Sequence, residues 1–210
     1  MISFFKPEPK PGSRKRSRIW NIIQVCGSLG TAVSDHMLFL HAFLGCDTTS
    51  RVHGLGKGLA LKKYQKDRIF CEQASVLHDE GKTEEEVITA GEKAFLSLYN
   101  SKKEETLNAL RYTRFCQKVS TGTSSLQPET LPRTSAAASF HSLRVYYQVQ
   151  QWRGDTTVIP PEWGWKLIDN KLIPIKTDLQ AAPKALLEII RCNCKSNCAL
   201  QIAVPVESTN

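Results

Sequence analysis

Residues 31 to 44, TAVSDHMLFLHAFL, carry Val33, Met37, Leu38, Phe39, Leu40, Ala42 and Phe43 on every side of the helix they would form. A helix without a polar face belongs inside a core. The rest of the chain must therefore supply amphipathic helices to enclose it, and the expected fold class is mainly α. His36 and His41 within this stretch read as packed or rim histidines. Gly45 ends the helix and leaves Cys46 and Asp47 at its C-terminal mouth.

The surrounding segments fit that demand. Arg18 to Trp20 reads as a short strand, and Asn21 can cap a helix over Ile22 to Leu29 that stops at Gly30. Arg68 to Glu80 places Ile69, Phe70, Ala74 and Leu77 at helical spacing and ends before Gly81. Thr83 and Glu86 form a capping-box pattern opening a helix through Tyr99, with Val87, Ala90, Ala94, Phe95 and Leu98 on one side. The run Glu84, Glu85, Glu86 is compensation of the helix dipole rather than a metal site. Further helices are expected over Glu105 to Val119 and from Ser135 to Trp152, separated by a loop, STGTSSLQPETLP. GWKLIDNKLIPI alternates about Asp169-Asn170 as a β-hairpin does, with Trp163 and Trp165 as packing residues beside it. A last short helix is expected over Ala182 to Ile190. The chain thus divides into a basic, flexible segment (1–17), a hairpin-bearing region (18–67), a helical extension and loop (68–132), a helix plus β-hairpin unit (133–190), and a cysteine-rich tail (191–210).

Composition narrows the partners. The chain has 210 residues, 41% apolar, enough for one or two domains with a sizeable core. Its net charge of +8 points to an anionic partner, nucleic acid first. No segment reaches the ~20 continuous apolar residues of a membrane span, and no membrane partner is expected. MISFFKPEPKPGSRKRSR has no apolar signal-peptide core. Seven cysteines, an odd count, suit a reducing compartment better than a disulfide framework, so an intracellular protein is expected. SRKRSR reads as a nuclear address, a phosphate contact or a solvated basic loop.

The sharpest motif is Val52-x-Gly54-Leu55-Gly56-x-x-x-Ala60, followed by Leu61. Gly54 and Gly56 permit positive φ and a close backbone approach to another surface. Leu55 plugs the turn into the core. Gly56 opens a helix whose free N–H groups attract phosphate. Ala60 is small enough for tight helix packing. Lys57, Lys62, Lys63 and Lys66 surround the mouth, with Arg51 just before it. A glycine turn between two helices with a solvated basic face is the plain structural alternative.

This pattern resembles the helix–hairpin–helix that binds DNA backbone independently of sequence. With Leu44-Gly45-Cys46-Asp47 upstream, residues 17 to 66 look like the flap-endonuclease family of structure-specific 5′ nucleases. That resemblance implies Asp47 as a metal-ligand position, divalent metal such as magnesium as the cofactor, and Arg51, Gly54, Leu55, Gly56, Lys57, Lys62 and Lys63 as the DNA-binding set. Thr48-Thr49-Ser50 departs from the aromatic residue often found after that aspartate. Two-metal hydrolysis needs several converging carboxylates. Only sixteen residues precede the region of resemblance, and Glu8 is their sole acid. Asp35 matches no family position. The chain as given is not expected to be a working nuclease, and no cofactor is required.

Cys192-Asn193-Cys194-Lys195-Ser196-Asn197-Cys198 looks like the opening of a tesmin/TSO1-like cysteine-rich domain, which implies zinc. No further cysteine follows, so Cys192, Cys194 and Cys198 form a truncated set. HAFLGCDTTSRVHGLGKG, SAAASFHSLRVYYQVQQW, EWGWKLIDNKLIPI and IIRCNCKSNC together are similar to a family of long transposon-associated animal proteins with no assigned activity. Those join a nuclease-like region to the cysteine-rich module, and the resemblance implies that this chain is an internal part of such a protein. The expected function is non-catalytic, sequence-independent DNA binding. The alternatives are a metal-dependent nuclease completed by missing residues or a partner chain, and a helical protein-interaction module.

Overall fold

The computed structural model describes residues 3–6, 18–101, 103–121 and 127–178. Among these the protein is mainly helical, with a small antiparallel hairpin at the C-terminal end. A strand β1 (Ser3–Lys6) pairs antiparallel with β2 (Arg18–Asn21), Ser3 facing Asn21 and Lys6 facing Arg18. The sequence alone had placed β1 in a flexible segment. Adjacent phenylalanines at positions 4 and 5 suit a strand once β2 offers an edge to pair with.

Helix α1 (Ile22–Leu29) is capped as expected, the Asn21 side chain accepting from the Gln24 amide at 3.3 Å. The apolar stretch then forms α2 (Thr31–Asp35) and α3 (Met37–Phe43) rather than one helix. The break at His36 has a local cause. The Ala32 carbonyl accepts the Tyr64 hydroxyl at 3.0 Å and lies 3.0 Å from His36 Nδ1, so side chains occupy an acceptor that the helix ladder would use. Phe39, Ala42 and Phe43 are fully enclosed, as a helix with no polar face requires.

The enclosing helices are α4 (Lys57–Tyr64), α5 (Arg68–His78), α6 (Glu84–Leu98), α7 (Leu107–Ser120) and α8 (Ser135–Arg153). Of their caps, the Thr83–Glu86 box was legible in sequence. Thr83 and Glu86 close the capping box, and Thr106 and Thr134 cap α7 and α8 by accepting from the amides of Ala109 and Ala137. α7 begins at Leu107 rather than Glu105 because Thr106 takes the cap position. At the core centre the rings of Phe43 and Phe95 lie 4.3 Å apart, and Phe39 and Phe43 5.0 Å apart. Such pairs add about 0.5–1.5 kcal/mol each beyond area burial.

One buried cluster runs from Val33 to Trp163, across the divisions that composition placed near residues 67 and 132. α8 is the second central helix. Its middle buries His141, Ser142, Arg144 and Gln150 along with Leu143, Val145, Tyr146 and Val149. Ser142 donates to the Ala138 carbonyl of its own helix and Arg144 to carbonyls beside the hairpin, whereas His141 and Gln150 satisfy carbonyls at the ends of other helices, which have no intrahelical donor. His141 Nε2 donates to the Phe43 carbonyl at 2.9 Å, at the end of α3, and Gln150 Nε2 to the His78 carbonyl at 3.1 Å, at the end of α5. α6 crosses α8 at Gly91, where a Cβ atom would stand 1.8 Å from Ser142 Oγ.

Strands β3 (Trp165–Ile168) and β4 (Lys171–Pro174) form the expected hairpin, with Asp169 and Asn170 at φ 49° and 57° as its two-residue turn demands. Trp163 anchors it, its ring 4.4 Å from that of Tyr146 on α8. The helix expected over Ala182 to Ile190 and the cysteines Cys192, Cys194 and Cys198 lie outside the described residues, as does most of the basic segment.

Candidate nucleic-acid interface

The turn from α3 to α4 is built around two buried anchors, Val52 and Thr49. Thr49 Oγ1 donates to the Ala42 carbonyl at 2.6 Å, and the Cys46 amide donates to Thr49 Oγ1 at 3.1 Å and to its carbonyl at 3.2 Å. Gly45 is required here. Its φ is 106°, and a Cβ would sit 2.7 Å from Arg51 Cα. The two ends of the loop therefore touch backbone to backbone, which leaves Asp47 exposed at the tip. Burial is the largest single influence on the Cys46 thiol and raises its pKa, but the hydrogen bonds from Thr48 and Thr49 together outweigh it and hold the thiol below its ordinary value.

The hairpin itself follows. Gly54 has φ 72°, and the Leu55 amide donates to the Val52 carbonyl at 3.3 Å, closing the turn. Leu55 is half-buried against the core, and Ala60 is fully enclosed. Gly56 differs from expectation. It has φ −95° and ψ 158°, an ordinary extended conformation, and serves as the N-cap of α4. Both glycines have open space where a Cβ would point, so nothing among the described residues covers this face. No side chain among the described residues caps α4, and its first amides carry the positive end of the helix dipole outward.

The basic residues divide into two kinds. Arg51 and Lys62 are exposed, and so is Lys57, whose Nζ donates to His41 Nδ1 at 2.7 Å. Burial and the Lys57 charge lower the His41 pKa, and Asp47 partly opposes them, so Asp47, His41 and Lys57 form one electrostatic group beside the hairpin. Lys63 is of the other kind. Its ammonium lies 2.7 Å from Asp67 Oδ2 and 2.9 Å from Asn100 Oδ1, which ties it to the helical body.

Beside the hairpin lies a cleft of about 450 Å³, lined on one side by Asp47 through Ser50 and on the other by residues of α8 and the end of β4. Arg133 sits in it and grips the hairpin loop. Its Nη2 donates to the Arg51 carbonyl at 2.8 Å and the Ser50 carbonyl at 3.2 Å, and its Nη1 to Ser50 Oγ at 3.2 Å. Arg144 donates from Nη1 to the carbonyls of Gly164 and Ile175. Sequence reasoning missed both arginines, because nothing in their spacing marks them as facing the hairpin loop.

Ser50 Oγ lies 3.4 Å from His141 Nδ1. Since His141 Nε2 donates to a carbonyl, Nδ1 is the bare nitrogen and the Ser50 hydroxyl is the donor. Burial first, and the nearby guanidinium of Arg133, push the His141 pKa down to about 3. So weak a base cannot deprotonate Ser50 near neutrality, and the pair is structural. No group of three or more histidine, cysteine, aspartate or glutamate side chains suited to a metal occurs among the described residues. No helix among them is long and apolar enough to cross a membrane. No protein-family model matches the chain, and neither a curated protein nor a solved structure matches it.

Proposed function

We propose that this protein binds DNA through its sugar–phosphate backbone, without reading sequence and without cleaving it. The observation that carries the reading is the α4 hairpin: an uncovered Gly54–Gly56 turn leads into an uncapped helix N-terminus, with Arg51, Lys57 and Lys62 exposed around it. Backbone amides at a helix start and flanking cations are what a phosphate needs, and neither distinguishes one base from another. The net charge of +8 acts in the same direction by raising the local concentration of a polyanion. A DNA ligand would place the protein in the nucleus. The test is fluorescence anisotropy with two duplexes of equal length and unrelated sequence. Equal affinities support the reading, whereas absence of binding by folded protein at low salt overturns it and favours a protein-interaction module.

A second reading, a metal-dependent nuclease completed by another chain, draws on one observation. Asp47 is exposed at the rim of a cleft beside the hairpin, where a partner could add carboxylates.

A further inference from the structure

The cleft between the Asp47–Ser50 loop and α8 carries charge that DNA binding by the hairpin does not use. Its lining includes three cations, Arg133, Arg144 and Lys176, against one carboxylate, Asp47. Neither arginine is ion-paired to a carboxylate among the described residues. Their partners are neutral: the carbonyls of Ser50 and Arg51, the Ser50 hydroxyl and the Phe95 ring, 5.6 Å away, for Arg133, and the carbonyls of Gly164 and Ile175 and the Trp165 ring, 5.9 Å away, for Arg144. Arg144 is only 9% exposed. Both guanidiniums are shifted below their ordinary pKa by burial, and Arg144 also by repulsion from Arg133, yet arginine stays protonated in proteins. Two like charges are thus held close together, mostly out of water, and charges in such a place are ordinarily paired.

The donor inventory shows what could pair them. Both bonds made by Arg144 leave from Nη1, so Nε and Nη2 have no protein acceptor among the described residues. The bonds of Arg133 leave from Nη1 and Nη2 and do not use Nε. The neighbouring hydroxyls are committed, Thr48 to Gln148, Thr49 to the Ala42 carbonyl and Ser50 to His141. The open donors are therefore the guanidinium N–H groups and the exposed Lys176 ammonium, a set suited to an oxyanion with several acceptor atoms. A volume of about 450 Å³ is that of a small-molecule site, larger than an inorganic anion needs. Half-buried Phe140 and Ile175 supply an apolar wall for the remainder.

We infer that this cleft binds a phosphate monoester, its phosphate on Arg133, Arg144 and Lys176 and its body against Phe140. The site is separate from the α4 hairpin and does not depend on the hairpin gripping DNA. Two sources offer the same chemistry: a free nucleoside monophosphate and the 5′-phosphorylated end of a nucleic-acid strand.

Isothermal titration of the full chain with thymidine 5′-monophosphate, thymidine, and 5′-phosphorylated and 5′-hydroxyl oligothymidylates tests the inference. The monophosphate should bind at submillimolar concentration, thymidine at least tenfold more weakly, and inorganic phosphate should compete. Lys176→Gln, at an exposed position that leaves folding intact, and Arg144→Gln should each weaken the monophosphate at least fivefold. Arg51→Ala/Lys57→Ala/Lys62→Ala should leave that affinity unchanged. Tighter binding of the 5′-phosphorylated than of the 5′-hydroxyl oligothymidylate assigns the site to a strand end; equal binding of the two strands assigns it to a free nucleotide. No binding of the monophosphate at millimolar concentration, equal binding of thymidine, an unchanged affinity in Lys176→Gln, or loss in the hairpin triple variant each overturns the inference.

Discussion

Lys63 Nζ lies 2.7 Å from Asp67 Oδ2, and this ion pair removes one lysine from the basic rim of the hairpin and gives it to the helical body. Asp67 joins three helices. It caps α5 by accepting from the Phe70 amide, accepts the Ser97 hydroxyl from α6, and pairs with Lys63 on α4. Those partners hold its carboxyl below the usual range, although burial alone would raise it.

Asp67→Ala should therefore destabilise the fold by about 2 kcal/mol, the sum of a missing cap and weakened helix–helix packing. The part of the Asp67 effect that needs the ionised carboxylate should fade in acid. A carboxyl whose folded pKa is depressed stabilises above its unfolded value near 3.8, and that stability is lost as pH falls through the lower folded value. Urea unfolding of the wild type and Asp67→Ala at pH 7 and at successively lower pH below 3.8 should show a difference that is largest at pH 7 and shrinks as the acid carboxyl forms.

His141 sets a different acid limit. Its folded pKa of about 3 is far below the ordinary 6.5, so between those values the unfolded chain binds the proton more readily. Stability is full above pH 6.5 and falls as pH drops toward 3, by about 1.4 kcal/mol per pH unit from this group. Between pH 6.5 and 5 the loss should be about 2 kcal/mol. His78 and His41, also lowered, add a smaller slope in the same direction. His141→Gln should flatten most of the dependence between pH 6.5 and 4, and an unchanged slope would contradict the burial of a neutral imidazole.

Gly91 should tolerate no side chain. A Cβ there meets Ser142 Oγ at 1.8 Å and Ser142 Cβ at 2.4 Å, and Ser142 Oγ is held by its bond to the Ala138 carbonyl. Gly91→Ala should cost about 1–3 kcal/mol by overpacking. Combining it with Ser142→Gly should cost less than the sum of the two single changes, which a double-mutant cycle in urea measures directly.

Cleavage offers a further check. Asp47 shares its surroundings with Lys57 and His41 on one side and lines a cleft with Arg133 and Arg144 on the other. Lys57, Arg133 and Arg144 repel a divalent ion where two-metal hydrolysis needs several carboxylates. Purified protein should leave duplex and flap DNA intact in magnesium or manganese. Cleavage that disappears in Asp47→Asn would restore the nuclease reading.

Much of the helical order was legible because it rests on local signals. The Asn21 and Thr83 caps, the Asp169-Asn170 turn and the apolar stretch of α2–α3 each act over a few residues. What was not legible depends on partners far along the chain. Nothing in sequence marks His141, Arg144 and Gln150 for burial, yet they are buried because carbonyls at Phe43, Gly164 and His78 await donors. Arg133 reaches the Ser50 and Arg51 carbonyls across 83 and 82 residues, and no local pattern encodes that. Lys63 shows the same limit at the site. Its place in the basic run put it with Lys57, Lys62 and Lys66 around the mouth, and only the fold showed Asp67 and Asn100 waiting for it.

The salt dependence of DNA binding tests the central claim most directly. Removing one cation from a phosphate lowers the slope of log K against log salt by about 0.9. Anisotropy titrations over 50 to 200 mM salt, roughly the range in which counterion release dominates, should show a slope shallower by about 2 to 3 units in Arg51→Ala/Lys57→Ala/Lys62→Ala. Lys63→Ala should lower the melting temperature and leave the slope unchanged. A triple variant that folds normally and keeps the wild-type slope would contradict backbone binding by the hairpin.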